Sequence, residues 1–314
     1  MSVAFIFPGQ GSQEQGMLHS LPKHPVVART LGEAASILEC DILKLDSRSA
    51  LGSTAHVQMA LVISSVAVSR LLQSEGAHPD MVGGLSVGAF GAAVTSGVLP
   101  FETALPIVRL RGELMKNAYP EGYGMAAIIG LSETQVADLV QKVCTPDSPL
   151  FVAAVNAPRQ IVVSGSDATL KAITERAPLA GATKVLRLQV GVPSHCALLQ
   201  KQAERLAHAM AGIKLSPPQT LYVDSRNGRE LRSAESIRED LATNMAHPVR
   251  WHDAAGVMYE RGVRLFVELP PGRVLTALVA AGFPDARAVA CAETRIDSVC
   301  ALARREAGSH SAVN

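Results

Sequence analysis

Short apolar strands alternate with helices along most of this chain, and that alternation admits only a small set of folds. Val3 to Phe7 reads as a buried strand closed by Pro8-Gly9-Gln10-Gly11, and helical patterns follow at Pro25 to Leu38 and Val57 to Glu75. Met81-Val82-Gly83-Gly84 is a second strand that runs into Leu85-Ser86-Val87-Gly88, with an Ala/Gly-rich helix behind it. From Phe101 to Asn117 apolar residues recur at helical spacing, placing Ala104, Ile107, Val108, Leu114 and Met115 on one face. A helix at Cys196 to Met210, strands at Leu221 to Val223 and Val263 to Glu268, and helices at Ile237 to Met245 and Val274 to Ala281 continue the rhythm. Strands this apolar need cover on both faces, which a parallel sheet with helical crossovers provides. The fold class predicted is α/β.

The middle of the chain keeps a different order. Gly124 to Gly130 is a strand, and Ser132 to Cys144 is a helix opened by a Ser132-x-x-Gln135 capping box. Strands at Leu150 to Val155 and Ile161 to Ser164 are joined by an Asn156-Ala157-Pro158-Arg159 turn. A helix at Asp167 to Ala177 and a strand at Lys184 to Val190 follow. That β-α-β-β-α-β order is ferredoxin-like. It predicts a small subdomain over residues 122–192 inserted in a large domain made of residues 1–121 and 193–303. Residues 304–314 are polar and are expected to form a flexible tail.

Charge narrows the function. Lys and Arg number 29 against 28 Asp and Glu, and aromatics are 4% of the chain. Neither a phosphate backbone nor stacked bases would find a partner here, so nucleic acid is excluded as an expectation. The charge-free windows Ser49 to Ser69 and Met81 to Phe101 are long enough to span a bilayer. His56, Gln58 and several serines interrupt the first and glycines break the second, so both read as buried core and no membrane is expected. The first apolar run stops at Pro8, too short for a signal peptide. The five cysteines (Cys40, Cys144, Cys196, Cys291, Cys300) show no C-x-x-C pair. The expectation is a cytoplasmic protein without a metal.

The sharpest local signal is Gly84-Leu85-Ser86-Val87-Gly88, a G-x-S-x-G between a predicted strand and a predicted helix. On such a turn the serine Oγ is exposed, the flanking glycines let backbone pass close by, and the next N–H faces an oxyanion. A Gly-rich turn in a Gly-rich chain is the competing reading. A nucleophilic serine needs a base, and His195 sits in Val192-Pro193-Ser194-His195-Cys196, where the small subdomain joins a following helix. A loop at such a junction faces a cleft, although a histidine at a helix start also serves to satisfy backbone groups. The Gln10 N–H, after the first strand, is placed to oppose that of Val87 as a second oxyanion donor. Arg109 and Arg111 stand two apart on an otherwise apolar helix, so one can face solvent while the other points inward. An inward arginine is either paired with a carboxylate or free to fork an anionic substrate group.

Five motifs then occur together: Phe7-Pro8-Gly9-Gln10-Gly11-Ser12-Gln13, the serine elbow, Leu110-Arg111-Gly112-x-x-Met115, Val192-Pro193-Ser194-His195 and Pro248-Val249-Arg250-Trp251. In this order and spacing the chain resembles malonyl-CoA:acyl-carrier-protein transacylases from Val3 to about Val289. The resemblance implies an α/β-hydrolase-like large domain with a ferredoxin-like insert. It implies Ser86 as nucleophile, His195 as base, Gln10 and Val87 as oxyanion donors and Arg111 as the malonyl carboxylate's partner. Asn156 and Gln160 match polar positions lining the family's cleft. Asn244 stands where relatives commonly carry Gln and the backbone carbonyl orients the histidine; if only that carbonyl is used, the change matters little. Malonyl-CoA is the implied substrate, a carrier-bound phosphopantetheine-type thiol the acceptor, and no cofactor is permanently bound.

One departure bears on the branch. Leu85 precedes the serine, where most fatty-acid-synthesis members have His at the mouth of the site. Gly-Leu-Ser-Val-Gly-Ala-Phe, Ala118-Tyr119-Pro120-Glu121-Gly122-Tyr123-Gly124-Met125 and Val267-Glu268-Leu269-Pro270-Pro271-Gly272 look more like the epsilon subunit of malonate decarboxylase. That resemblance implies the decarboxylase carrier subunit as acceptor, with the transacylase of fatty acid synthesis as the alternative. A serine hydrolase is the rival chemistry, and it usually has a late histidine, whereas 119 residues follow His195. A non-catalytic docking subunit is the rival outside enzymology. Carrier proteins of this kind are typically acidic, so a basic patch beside the cleft is expected despite the near-neutral total.

Overall fold

The protein's structure, a computed structural model describing residues 2–119 and 121–308, begins with β1 (Ser2–Phe7), whose apolar run is buried from Val3 onward. Along the chain follow α1 (Pro25–Leu38), α2 (Thr54–Ser74), β2 (Met81–Gly84), α3 (Gly88–Thr95) and α4 (Phe101–Ala118). The middle supplies β3 (Tyr123–Ile129), α5 (Glu133–Val143), β4 (Leu150–Ala157), β5 (Gln160–Ser166), α6 (Asp167–Arg176) and β6 (Lys184–Arg187). The last part supplies α7 (Gln200–Met210), β7 (Leu221–Val223), β8 (Glu230–Leu231), α8 (Ala234–Thr243), α9 (Trp251–Glu260), β9 (Val263–Glu268), α10 (Val274–Gly282), β10 (Arg287–Ala290) and α11 (Ile296–Gly308). Met1, Pro120 and residues 309–314 lie outside the described residues.

Two sheets result. The larger is ordered β10-β9-β1-β2-β7-β8, parallel throughout except for the antiparallel edge strand β8. This is a mixed α/β fold with a parallel-sheet large domain. The central strands β1 and β2 are apolar on both faces from Val3 onward, β9 carries Arg264 and a buried Glu268 on one face, and helices cover both sides. The smaller sheet, β4-β5-β3-β6, is antiparallel and packs α5 and α6 over its own core of Ile128, Val136, Ile161 and Ile173. Its topology is the ferredoxin-like order that the sequence predicted. Main-chain hydrogen bonds tie the two parts, Val155 N to Val249 O at 2.8 Å and Val249 N to Ala153 O at 2.9 Å. Arg250 next to that joint forms ion pairs with Glu133 of α5 at 2.9 Å and Asp253 of α9 at 2.5 Å.

α2 is long and apolar enough to cross a membrane, and 89% of its most apolar window is buried inside the protein. It lies against α1, α3 and α4 as the core helix of the large part. β8, α9, β10 and α11 have no counterpart in the sequence reading, and three segments that it does contain are bounded differently. β6 ends at Arg187 rather than Val190, because Leu188 and Val190 leave the sheet to line a cavity. The helix expected from Cys196 starts at Gln200, after His195 takes a left-handed φ of 62° and a 3-10 turn spans Ala197–Leu199. The tail expected from residue 304 is corrected, since α11 continues to Gly308 on a face of buried Val299, Cys300 and Ala303, and Arg304 donates to the Glu75 carbonyl. The rest of that tail, residues 309–314, lies outside the described residues.

Candidate active site

The serine elbow forms because two glycines let three backbone segments meet. A Cβ on Gly84 would sit 2.1 Å from the Gly88 carbonyl carbon, and one on Gly88 would sit 2.2 Å from the Phe7 carbonyl oxygen. Between them Ser86 holds φ at 57°, a left-handed conformation that a non-glycine residue occupies only when its surroundings enforce it. The Leu85 N–H to Phe7 O bond at 2.9 Å fixes the strand side, and α3 starts at Gly88 on the other. Gly9 is equally constrained, because its missing Cβ would meet Leu85 Cδ2 and Leu85 O at 2.6 Å. The Pro8-Gly9-Gln10-Gly11 loop is thereby pressed onto the elbow. Among the described residues the N–H groups of Gln10 and Val87 have no acceptor. Val87 N–H lies at the N-terminus of α3, where the helix dipole favours negative charge.

His195 reaches the serine from the far side. Its Nε2 is 2.8 Å from Ser86 Oγ, and its Nδ1 lies 2.9 Å from Asn244 O and 3.2 Å from His247 O. Two carbonyls can only accept, so Nδ1 carries the proton and Nε2 presents its lone pair to the Ser86 hydroxyl. Burial, and then the Arg111 charge, push the imidazole's pKa down to about 4, so it is a neutral base at physiological pH.

Arg111 is fully buried on α4, while Arg109 faces solvent. Its Nη1 donates to Gln58 Oε1 at 2.8 Å, and its Nη2 to Asn244 Oδ1 at 3.0 Å and Ser86 Oγ at 3.2 Å. Every one of these acceptors is neutral, and Nε has no partner. Burial draws the guanidinium down to about 9, leaving it charged at neutral pH. A desolvated cation without a bonded anion is a strong attractor for a carboxylate.

Around Ser86 and His195 lies a cavity of about 210 Å³, lined among others by Gln10, Leu85, Asn156 and Gln160. The Asn156 Oδ1 is buried there without a partner. Thus Ser86, His195, Gln10, Leu85, Asn156 and Gln160 line one cavity, and Arg111 and Asn244 lie behind it, each bonded to Ser86. Two features were missed. Gln58 was noted only as an interruption of an apolar helix, and a lone amide at such a position is the signal that marks it. The other is the Asn244 amide: beside the carbonyl that orients His195, its Oδ1 accepts from Arg111 and its Nδ2 lies 3.4 Å from Ser86 O, so the Gln-to-Asn difference touches more than the main chain. A second cavity of about 490 Å³ shares Gln10 with the first and carries the exposed cations Arg48 and Lys116.

A serine on a strained elbow, a neutral imidazole, unbonded N–H donors and a buried guanidinium can together make and break an acyl ester. The acyl transferase domain matches residues 4–305. The chain belongs to that family. The malonyl CoA-acyl carrier protein transacylase of Escherichia coli K12 is 36% identical over 281 residues, 88% of this chain and 91% of that protein. That of Bacillus subtilis is 33% identical over 282 residues, covering 88% of this chain and 89% of the other. Among solved structures, a malonyl-transacylase in complex with a type II PKS acyl-carrier protein superposes with a TM-score of 0.90 at 35% identity, covering 98% of this chain and all of that one. The transacylase of Coxiella burnetii gives 0.92 at 31% identity, with 97% and 98% covered. This acyltransferase is therefore similar to malonyl CoA-acyl carrier protein transacylases in sequence and, over nearly its whole length, in fold.

Proposed function

We propose that the protein moves a malonyl group from malonyl-CoA, through an ester on Ser86, to the thiol of an acyl carrier protein. The observation that carries this reading is the fully buried Arg111, bonded only to neutral groups and 3.2 Å from Ser86 Oγ. In a malonyl thioester the free carboxylate stands one methylene from the attacked carbonyl, so a guanidinium touching the nucleophile is where that carboxylate falls.

His195 Nε2 takes the Ser86 proton as Oγ attacks the thioester carbonyl, and the N–H groups of Gln10 and Val87 hold the oxyanion. Collapse breaks the carbon–sulfur bond, and CoA leaves as a thiol with the proton from His195. The carrier thiol then gives its proton to His195 and attacks the ester, and Ser86 is regenerated as the proton returns to Oγ. Asn156 and Gln160 offer polar groups to the arm of the thioester along the cavity wall.

The relatives are named for acyl carrier protein, and one solved relative has a carrier docked on the same fold. This supports a fatty-acid-type acyl carrier protein as acceptor better than the decarboxylase carrier subunit expected from Leu85 and its neighbouring motifs. Each charge-assisted hydrogen bond contributes about 1.5–3 kcal/mol, so a bidentate Arg111–carboxylate pair separates malonyl from acetyl by about 10²–10⁴-fold in kcat/KM. Arg111→Ala should collapse that ratio toward unity. Retention of malonyl preference in this variant would refute the assignment, and comparison of transfer to the two kinds of carrier decides the acceptor.

A further inference from the structure

Linked to Arg111 through Asn244 is a buried acid that the transfer steps do not use. Asp240, in the last turns of α8, is 3% exposed. Its Oδ2 accepts the Tyr222 hydroxyl at 2.8 Å, and its Oδ1 has no partner. Its main-chain carbonyl receives the N–H of Asn244, the residue whose side-chain amide holds Arg111. A carboxylate with one donor for two oxygens is under-solvated, and its charge works against burial to keep the Arg111 guanidinium protonated.

We propose that Asp240 is the positioning counter-charge of Arg111, and that it takes up a proton when the malonyl carboxylate docks. In the free enzyme the ionised Asp240 offsets a guanidinium that has neutral partners only. When a substrate carboxylate arrives on Arg111, that cation is compensated from the other side, and Asp240 becomes an isolated buried anion. A proton from solvent then binds Oδ1, whose position is open. By linkage, an ionised Asp240 opposes docking and a protonated one does not. This rests on Arg111 being the carboxylate's partner.

The groups facing Asp240 from each packed element are few. From β7 and the loop behind it come Tyr222, Asp224 and Arg226, and from α4 comes Arg111. Asp224 is fully engaged by the N–H groups of Asn227 and Arg229 and by Asn227 Nδ2. Arg226 is paired outward with Glu239 at 3.1 Å. α7 turns Ala203, Leu206 and Met210 inward, while its Lys201, Glu204, Arg205 and His208 are exposed; α3 has no titratable residue. Burial and the Asp224 charge raise Asp240 to about 7, within the range where the effect can be read.

The test is kcat/KM for malonyl-CoA between pH 6 and 8, which reports the free enzyme and the first half-reaction only. It should fall about fivefold across that range, as expected when docking shifts one buried carboxylate by about one pH unit. Acetyl-CoA, lacking the carboxylate, should show a flat profile. Asp240→Asn keeps an acceptor for Tyr222 and should flatten the malonyl profile. Tyr222→Phe removes the hydrogen bond that favours the anion and should move the midpoint to higher pH. A flat wild-type malonyl profile, or one unchanged in both variants, overturns the proposal while leaving malonyl preference intact. Loss of malonyl preference itself would instead overturn the role of Arg111. If Asp240→Asn does not fold, the wild-type profile and the Tyr222→Phe shift still decide.

Discussion

Ser86 and His195 both occupy the left-handed region, at φ 57° and 62°, and each such residue costs about 1–3 kcal/mol that its surroundings must offset. For His195 the offset is visible in its main chain, whose N–H donates to Met245 O at 2.8 Å, and in the two carbonyls gripping Nδ1. Its lowered pKa of about 4 sets a pH dependence with a definite sign. The neutral imidazole is the base, so acylation at saturating malonyl-CoA, where docking no longer limits, should hold its rate as pH falls through 6.5 and lose half of it only near 4 to 5. In Arg111→Ala the acid limb should move toward 6.5, because the second cause of the shift is gone. Stability carries a His195 share in the same window: below about 6.5 the unfolded chain binds a proton that folded His195 refuses, which lowers the urea midpoint toward pH 4. Asp240, raised to about 7, works the other way, so the His195 share is the difference between the wild type and a His195 variant. His195→Gln should drop less. Arg111 was separable from Arg109 only through the five motifs read together. Ser86 and His195 were legible from a strand–turn–helix glycine pattern and a subdomain junction, each with an ordinary competing use. Gln58 and the Asn244 amide were not, since they meet Arg111 across 53 and 133 residues of chain and no local pattern records that meeting.

The elbow between β2 and α3 is the element that carries the chemistry, and its glycines are steric requirements rather than breaks. Gly84→Ala or Gly88→Ala places a methyl about 2 Å from main-chain atoms that cannot give way. Either should lower stability by at least about 3 kcal/mol and abolish acylation, measured by thermal melting and by adduct formation. Gly32, in the middle of α1, is exposed and has nothing within 4 Å of its added Cβ. Gly32→Ala should therefore raise stability by about 0.5–1 kcal/mol without touching activity. Strand and helix identities were readable where apolar period and capping agreed, as in α5 with its Ser132–Gln135 box. β8 and β10 were not readable: they are short edge strands of two and four residues, half-covered, with no periodic signal of their own.

Across the whole molecule, the small sheet joins the large part where β4 bonds to Val249, in the segment before α9, and the cavity opens along that seam. Arg250, tied to Glu133 and Asp253, fastens the seam from outside. A net charge of +1 hides an uneven surface. Arg48 and Lys116 stand exposed on the cavity that shares Gln10 with the catalytic one, a place suited to an acidic carrier. Reversing both charges should raise KM for the carrier several-fold, more at low than at high salt, and leave acylation by malonyl-CoA unchanged. The central claim, a Ser86 ester selected by Arg111, is tested most directly by intact-protein mass spectrometry after a brief exposure to equal malonyl-CoA and acetyl-CoA. A malonyl adduct should form almost alone in the wild type, none in Ser86→Ala, and no malonyl excess in Arg111→Ala; an adduct that survives in Ser86→Ala, or equal malonyl and acetyl adducts in the wild type, would overturn the Ser86 and the Arg111 assignment respectively.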